Sequence, residues 1–316
     1  MYEIGRYDFP QSGHFIVWYE CNKRQRPVYL EFLGCSIDEP DIRCALKAAR
    51  ELDADALLIT RTGSHEGGNT NFVICQFREF KPQFNTSLCL IDHDNLSFER
   101  YLKDNVAIVW FQNEQFVYKF MDATCLQATF ETEERNYRKL AGVSGIPCLR
   151  AAVSKGGVVQ GLLISYIDGD DLWSVATGSM LDDSELLNVT YGIIQLAAIL
   201  EKRHFYHQDL KCSNIVRRRR DGKLFFVDLA GGLTKGMYRH EREYHILRNG
   251  FDAADGLFSL GRTIWSLWTG NHPETTVSID AIRHDTVRNI VTDCEEGRMD
   301  SIGALDGKYV PIVAAG

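Results

Sequence analysis

The stretch richest in reactive side chains is Tyr206-His207-Gln208-Asp209-Leu210-Lys211-Cys212-Ser213-Asn214-Ile215, followed downstream by Phe226-Val227-Asp228-Leu229. It offers a carboxylate at Asp209, an ammonium group at Lys211, an amide at Asn214 and a second carboxylate at Asp228. These groups suit phosphoryl transfer, in which a protein supplies positioning and charge more than covalent bonds. One carboxylate can receive the acceptor hydroxyl, an amide and another carboxylate can hold magnesium ions, and a lysine can meet phosphate oxygens. A short rigid loop presents the first carboxylate and the amide together. The second carboxylate has to return on a neighbouring hairpin. Ile215 to Arg219 and Lys223 to Asp228 read as its strands, around the turn Arg220-Asp221-Gly222-Lys223, because Asp-Gly is a strong two-residue turn signal. Singly, each of these could be an ordinary loop residue. Their combination at these offsets, between apolar strands, carries the reading.

The same residues resemble the HxDxKxxN catalytic loop and the DFG segment of the protein kinases. The resemblance spans about residues 97 to 300. It implies an α+β, bilobal protein-kinase-like fold and a requirement for ATP and magnesium. It makes Asp209 the catalytic base, places Lys211 at the γ-phosphate, and gives Asn214 and Asp228 to magnesium. His207 matches a histidine that kinases use mainly as a packed core residue, so it receives no catalytic role.

The elements that must position these groups are legible by period. Val106 to Phe111 and Gln115 to Phe120 form an expected hairpin across Asn113-Glu114. Its second strand ends Phe116-Val117-Tyr118-Lys119, which looks like the VAIK strand, so Lys119 is expected at the α- and β-phosphates. In the helix that follows, Tyr137 and Leu140 stand four and seven residues after Glu133, so a helix that buries them turns Glu133 the same way. Glu133 is the expected partner of Lys119, with Glu134 in reserve. Gly161 to Leu172 resembles the last strand of the N-lobe and the hinge. There the backbone around Ser165 and Ile167 is expected to bind the adenine edge, and Asp171 the ribose hydroxyls. Ser184 to Arg203 reads as a long buried helix leading into the loop, and Phe258 to Trp268 as the central helix of the C-lobe.

Three segments are expected: an N-terminal α+β unit at 1–96, a kinase-like N-lobe at 97–168 and a trimmed helical C-lobe at 169–316. The first carries no kinase motif. His14 to Glu20, Pro27 to Leu33, Ala56 to Thr60 and Asn71 to Phe77 read as strands. A helix lies between the second and third, where Ile42, Ala45, Leu46, Ala49 and Leu52 recur at helical spacing. The glycine-rich run Gly63 to Gly68 has no Gly-Lys-Ser/Thr ending and no helix after it, so it reads as a hairpin loop and not a phosphate cradle. Lys81 to Asn85 reads as a connector.

Departures from the family narrow the function. No glycine occurs between Asp104 and Gln115, so backbone amides cannot close over the phosphates in the usual way. Val117 stands where alanine is usual, Asp228-Leu229-Ala230 replaces DFG, and Gln208 replaces the arginine that pairs with a phosphorylated activation segment. No APE motif follows, and Tyr238 to Glu241 is at most its remnant. Gly256 occupies the place of a usual aspartate, and Arg298 is a candidate late structural arginine. Lys211, two residues after Asp209, is the form carried by serine/threonine kinases, so that activity is expected, with a protein substrate or binding partner. A pseudokinase scaffold is the alternative, and a small-molecule kinase is third. The 316 residues carry a net charge of −8, which argues against nucleic acid or an anionic membrane as a partner. The run Arg217 to Arg220 is the local exception, and it reads as a solvated turn. Nine cysteines without metal spacing fit free thiols, no apolar run is long enough to span a bilayer, and no signal segment is evident, so an intracellular, cytoplasmic protein is expected.

Overall fold

Apolar residues at alternate positions build the sheet that carries Lys119. In the computed structural model the described residues are 2–5, 14–21, 24–31, 57–62, 71–76, 86–103, 105–120, 127–178, 181–231, 250–272 and 279–310. The chain is α+β and forms two compact units, one from residues 1–126 and 150–164, the other from 127–149 and 165–316.

The first unit begins with five strands, β1 (Tyr2–Gly5), β2 (His14–Cys21), β3 (Arg24–Glu31), β4 (Leu57–Thr62) and β5 (Asn71–Gln76), which form a sheet in that order. Neighbours are antiparallel except β3 and β4, which run parallel. A parallel pair needs a crossover between its strands. The helix expected at Ile42 to Leu52 falls in that connection and lies outside the described residues, as do the Gly63 to Gly68 run and the Lys81 to Asn85 connector. β2 to β5 match the expected strands to within a few residues, and β1 was not anticipated.

A second, mixed sheet contains β6 (Leu90–Asp92), β7 (Ser97–Lys103), β8 (Val106–Phe111), β9 (Glu114–Phe120), β10 (Leu149–Lys155) and β11 (Val158–Ser165), in the order β6-β10-β11-β9-β8-β7. One face buries Ile91, Ala107, Val109, Phe116, Tyr118, Val153 and Leu163 together. Tyr118 and Phe116 alternate with Val117 along β9, as the period of a strand requires. The β8–β9 turn is Gln112-Asn113, with φ of 52° and 66°, one residue earlier than expected. Two successive positive φ values make the mirror-image turn whose twist matches paired strands. Gly161 on β11 permits close approach to β9, since a Cβ there would lie 2.3 Å from the Tyr118 ring and 2.6 Å from the Lys119 carbonyl oxygen.

The second unit contains α1 (Gln127–Lys139), β12 (Gly169–Asp171), α2 (Leu172–Thr177), α3 (Asp183–Glu201), β13 (Ile215–Arg218), β14 (Leu224–Phe226), α4 (Ala253–Thr269), α5 (Asp285–Glu295) and α6 (Ile302–Tyr309). α3 starts at a capping box, with Asp182 accepting from the Glu185 N–H and Glu185 reaching back. It then buries Ile193, Ile194, Ala197, Ala198 and Leu200. α4 has a second capping box, Asp252 with Asp255, and ends at Gly270 with φ 65°. β12, β13 and β14 form a three-stranded sheet. Arg298 pairs with Asp293 at 3.7 Å and with Glu296. Among the described residues, no helix is long and apolar enough to cross a membrane.

Candidate active site

Asp209, Lys211, Asn214 and Asp228 all lie in the second unit, between α3 and the segment after β14. The loop closes on itself through short backbone bonds. The Leu210 N–H donates to the His207 carbonyl at 3.0 Å, and the Asn214 N–H to the Lys211 carbonyl at 2.9 Å. A single 3-10 turn, Cys212–Asn214, brings the Asn214 side chain back to Asp209. Its Nδ2 donates to the Asp209 carbonyl oxygen and to Asp209 Oδ2, both at 2.9 Å. Nδ2 is donor-only, so Oδ1 is the acceptor atom of the Asn214 side chain. Asn214 is buried, and Lys211 Nζ lies 2.8 Å from Asp209 Oδ2. The structure thus joins three of the expected residues in one hydrogen-bonded set.

α4 supplies the floor under this loop. The Thr263 hydroxyl, fully buried, lies 2.9 Å from the Leu210 carbonyl oxygen and 2.8 Å from that of Ser259. The Cys212 thiol donates to the Thr263 carbonyl at 3.4 Å, and burial pushes its pKa up to about 12, so it stays protonated. Tyr206 fills the space beside Gly256, where an added Cβ would come within 2.8 Å of the ring. Only a residue without a side chain fits there with Tyr206 in place.

Asp228 adopts φ 62°, the left-handed region that few residues other than glycine enter. Such a backbone persists only where its surroundings over-determine it. The Val227 N–H donates to the Asn214 carbonyl at 2.9 Å, and His207 Nε2 donates to the Val227 carbonyl at 2.8 Å. Asn136 Nδ2 donates to the Leu229 carbonyl at 2.7 Å. Leu229 is buried, and Gly231, with φ 76°, sits against the Gln208 amide, to which a Cβ would come within 3.3 Å.

His207 is buried edge-on to Phe226, with ring centroids 5.8 Å apart. Because its partner is a carbonyl, Nε2 carries the proton. Burial lowers its pKa from the usual histidine value, against the opposing pull of the Val227 carbonyl and of Asp209 and Asp228. The ring is a neutral strut between the loop and the Asp228 segment, as the sequence led us to expect.

Glu133 and Tyr137 on α1, and Leu140 just after it, are buried. Burial drives the Tyr137 phenol well above its usual range, and the charges of Glu133 and Asp228 add to that. Glu134 pairs with Arg138 at 3.5 Å, one turn along the helix. Lys119 is buried on β9 and belongs to the first unit.

Ser165, Ile167 and Asp171, expected at a hinge, have local duties. The Ser165 N–H donates to the Cys148 carbonyl at 2.9 Å, and the Ser165 hydroxyl oxygen accepts from the Cys148 N–H at 2.8 Å. Ile167 is half-buried. Asp171 caps α2: Oδ1 accepts from the N–H groups of Trp173 at 3.0 Å and Ser174 at 3.1 Å, and Oδ2 from the Ser174 hydroxyl at 2.8 Å. The arginine run is neutralised one residue at a time. Arg217 meets Glu185 at 3.6 Å, Arg218 and Arg220 meet Asp221, and Arg219 meets Asp168 at 2.7 Å and Asp170 at 2.6 Å. The turn between β13 and β14 is longer than two residues, with Gly222 at φ 68° and the Arg218 N–H donating to the Lys223 carbonyl at 2.9 Å.

Sequence reasoning had not assigned Asn136 or Thr263 to this site, because nothing in the local sequence marks the distant carbonyl that each of them meets. A cleft of about 480 Å³ between α3 and the β13–β14 hairpin, floored by Val189, Leu196 and Leu224, contains none of the loop residues.

Among the described residues, no group of three or more His, Cys, Asp and Glu side chains is arranged to hold a metal ion. Magnesium does not need one: it is commonly held by one or two carboxylates together with the substrate's phosphates and water. The Asp228 carboxylate and the Asn214 amide oxygen are hard oxygen donors of that kind. The residues therefore fit the ion. No protein-family model matches this chain, and no curated protein matches it.

Proposed function

We propose that this chain is a divergent protein-kinase-like phosphotransferase on a bilobal fold, using ATP and magnesium to phosphorylate serine or threonine hydroxyls of a protein. The observation that carries the reading is the set Asp209–Lys211–Asn214, joined through Val227 to an Asp228 held in a left-handed conformation. In this reading the Asp209 carboxylate takes the proton of the attacking hydroxyl. A new oxygen–phosphorus bond forms as the bond from the γ-phosphorus to its bridging oxygen breaks, and ADP leaves. Asn214 fixes the orientation of that carboxylate through Nδ2. Lys211 offsets the negative charge gathered around the moving phosphoryl group. The Asn214 amide oxygen and the Asp228 carboxylate would hold magnesium, which neutralises phosphate charge when bound. The resemblance alone assigns Lys119 to the α- and β-phosphates and Glu133 to Lys119.

A second reading, a pseudokinase acting as a protein-interaction scaffold, draws on one observation. β7 ends at Lys103 and β8 begins at Val106, with no glycine between them, which leaves no room for a loop of amides over the phosphates. The discriminating experiment is transfer of labelled γ-phosphate to the protein itself and to casein, in wild type, Lys119→Ala and Asp209→Ala. Transfer in wild type, lost in both variants with circular dichroism unchanged, supports the enzyme. Transfer surviving in both removes the site assignment, and no transfer in wild type favours the scaffold.

A further inference from the structure

We propose that α6 braces the catalytic loop from beneath, and that Glu201, on which α6 is seated, is a positioning residue for Asp209. The packing stands on its own, while its catalytic consequence rests on the function proposed above. Glu201 is the last residue of α3, five residues before Tyr206. Its carboxylate takes three donors from two directions. Oε1 accepts the Ile302 N–H at 3.0 Å and Oε2 the Gly303 N–H at 2.8 Å, the first two amides of α6. Oε1 also accepts the Tyr206 hydroxyl at 3.4 Å. Burial and the Glu201 charge raise the Tyr206 pKa, so the phenol keeps the proton it donates. A carboxylate suits the first turn of a helix, where N–H groups lack partners within the helix and the dipole is positive. The Ser301 hydroxyl oxygen accepts the Ala304 N–H at 3.0 Å, so Glu201 serves the amides that this cap leaves open.

This seat puts Ile302 directly under the loop. Ile302 is buried, and its Cδ1 lies 3.5 Å from where a Cβ on Gly256 would stand, beside the ring of Tyr206. Tyr206, His207, Leu210 and Ile302 line a common void of only about 10 Å³, no more than a single water needs. Packing this close passes a displacement on instead of absorbing it. A shift of α6 therefore reaches Tyr206 and His207, and Asp209 follows two residues later. The far end of α6 is pinned as well: the buried Asp293 carboxylate accepts Lys308 Nζ and the Tyr309 hydroxyl, both at 2.6 Å. Neither Glu201 nor Ile302 is assigned to substrate or metal; both act through the loop.

The test is hydrogen exchange in the segment 206–215 of the full chain, where the Leu210 and Asn214 amides are bonded within the loop. Glu201→Gln keeps the size of the side chain but replaces an accepting oxygen with a donor, and Ile302→Ala empties the space under the loop. Asp182→Ala breaks the capping box at the other end of α3, lowering stability without touching the seat. Exchange in 206–215 should rise at least about tenfold in both seat variants, the ratio expected for loss of one hydrogen bond to a charged group. In Asp182→Ala it should stay at the wild-type rate. Wild-type exchange in both seat variants, or an equal rise in Asp182→Ala, overturns the proposal. Phosphate transfer measured alongside should show a lower kcat at an unchanged KM for ATP in the seat variants, and a wild-type kcat in both also overturns it. Absence of transfer in the wild type overturns the proposed function alone, and the exchange rates still decide whether α6 braces the loop.

Discussion

Replacing His207 with phenylalanine should produce a stability difference that depends on pH in a calculable way. The ring is buried and neutral, and its folded-state pKa lies below the unfolded value of about 6.5. Protons therefore bind the unfolded chain more readily, so the stabilisation linked to this residue is complete above pH 6.5 and is lost as pH falls toward the folded-state value. By pH 5.5, one unit below the unfolded pKa, the loss is at most about 1.4 kcal/mol. For a cooperative unit of 150–250 residues, that bound corresponds to a melting-temperature drop of no more than roughly 3–6 °C. His207→Phe keeps the ring against Phe226 but removes the donor to the Val227 carbonyl. At pH 8 the variant should thus be less stable by about 1–3 kcal/mol, the cost of a buried unsatisfied acceptor. On acidification the gap should narrow, by no more than that bound, because phenylalanine has no proton to gain. Thermal melts of both proteins from pH 5 to 8 give the gap directly. A gap constant across that range would refute the buried neutral histidine.

Three further outcomes follow from the same geometry. Thr263→Val, which leaves the Leu210 carbonyl without its donor in a fully buried site, should cost about 1–3 kcal/mol, read from thermal melts, while Thr263→Ser should restore most of it. Gly256→Ala should destabilise by roughly 1–3 kcal/mol despite the better helix propensity of alanine, because its Cβ meets the Tyr206 ring. The same change in a Tyr206→Ala background should be nearly neutral or stabilising, and an additive double-mutant cycle would contradict the contact. Asp171→Ala should lower stability by about 1 kcal/mol through loss of the α2 cap. Calorimetry of ATP binding to that variant reports whether the carboxylate also serves the nucleotide.

What could be read from the sequence is what local pattern governs. The spacing of Glu133, Tyr137 and Leu140 anticipated three buried positions along and just after α1. Turn chemistry located the β13–β14 hairpin, and apolar spacing located α3 to within a few residues. What escaped depends on contacts between distant segments. β6 is three residues long and exists because it lies parallel to β10, a partner far along the chain. The Tyr206 ring explains Gly256 only once α4 is docked beneath the loop. The left-handed backbone at Asp228 could not be singled out in the sequence: aspartate enters that region more readily than most residues, and which aspartate does so depends on distant contacts such as that of Asn136 with the Leu229 carbonyl. The β8–β9 turn was displaced by one residue because neither Gln112 nor Asn113 is glycine, yet both take positive φ.

The central claim is that the loop and hairpin form a magnesium–nucleotide site, and binding tests it before any substrate is known. The melting temperature of the purified chain should be measured with millimolar ATP, with and without magnesium, beside Asp228→Ala. A ligand that binds only the folded state raises that temperature according to its affinity and concentration. The account predicts a rise that requires magnesium and disappears in Asp228→Ala. No rise in wild type, or an equal rise in the variant, would contradict it.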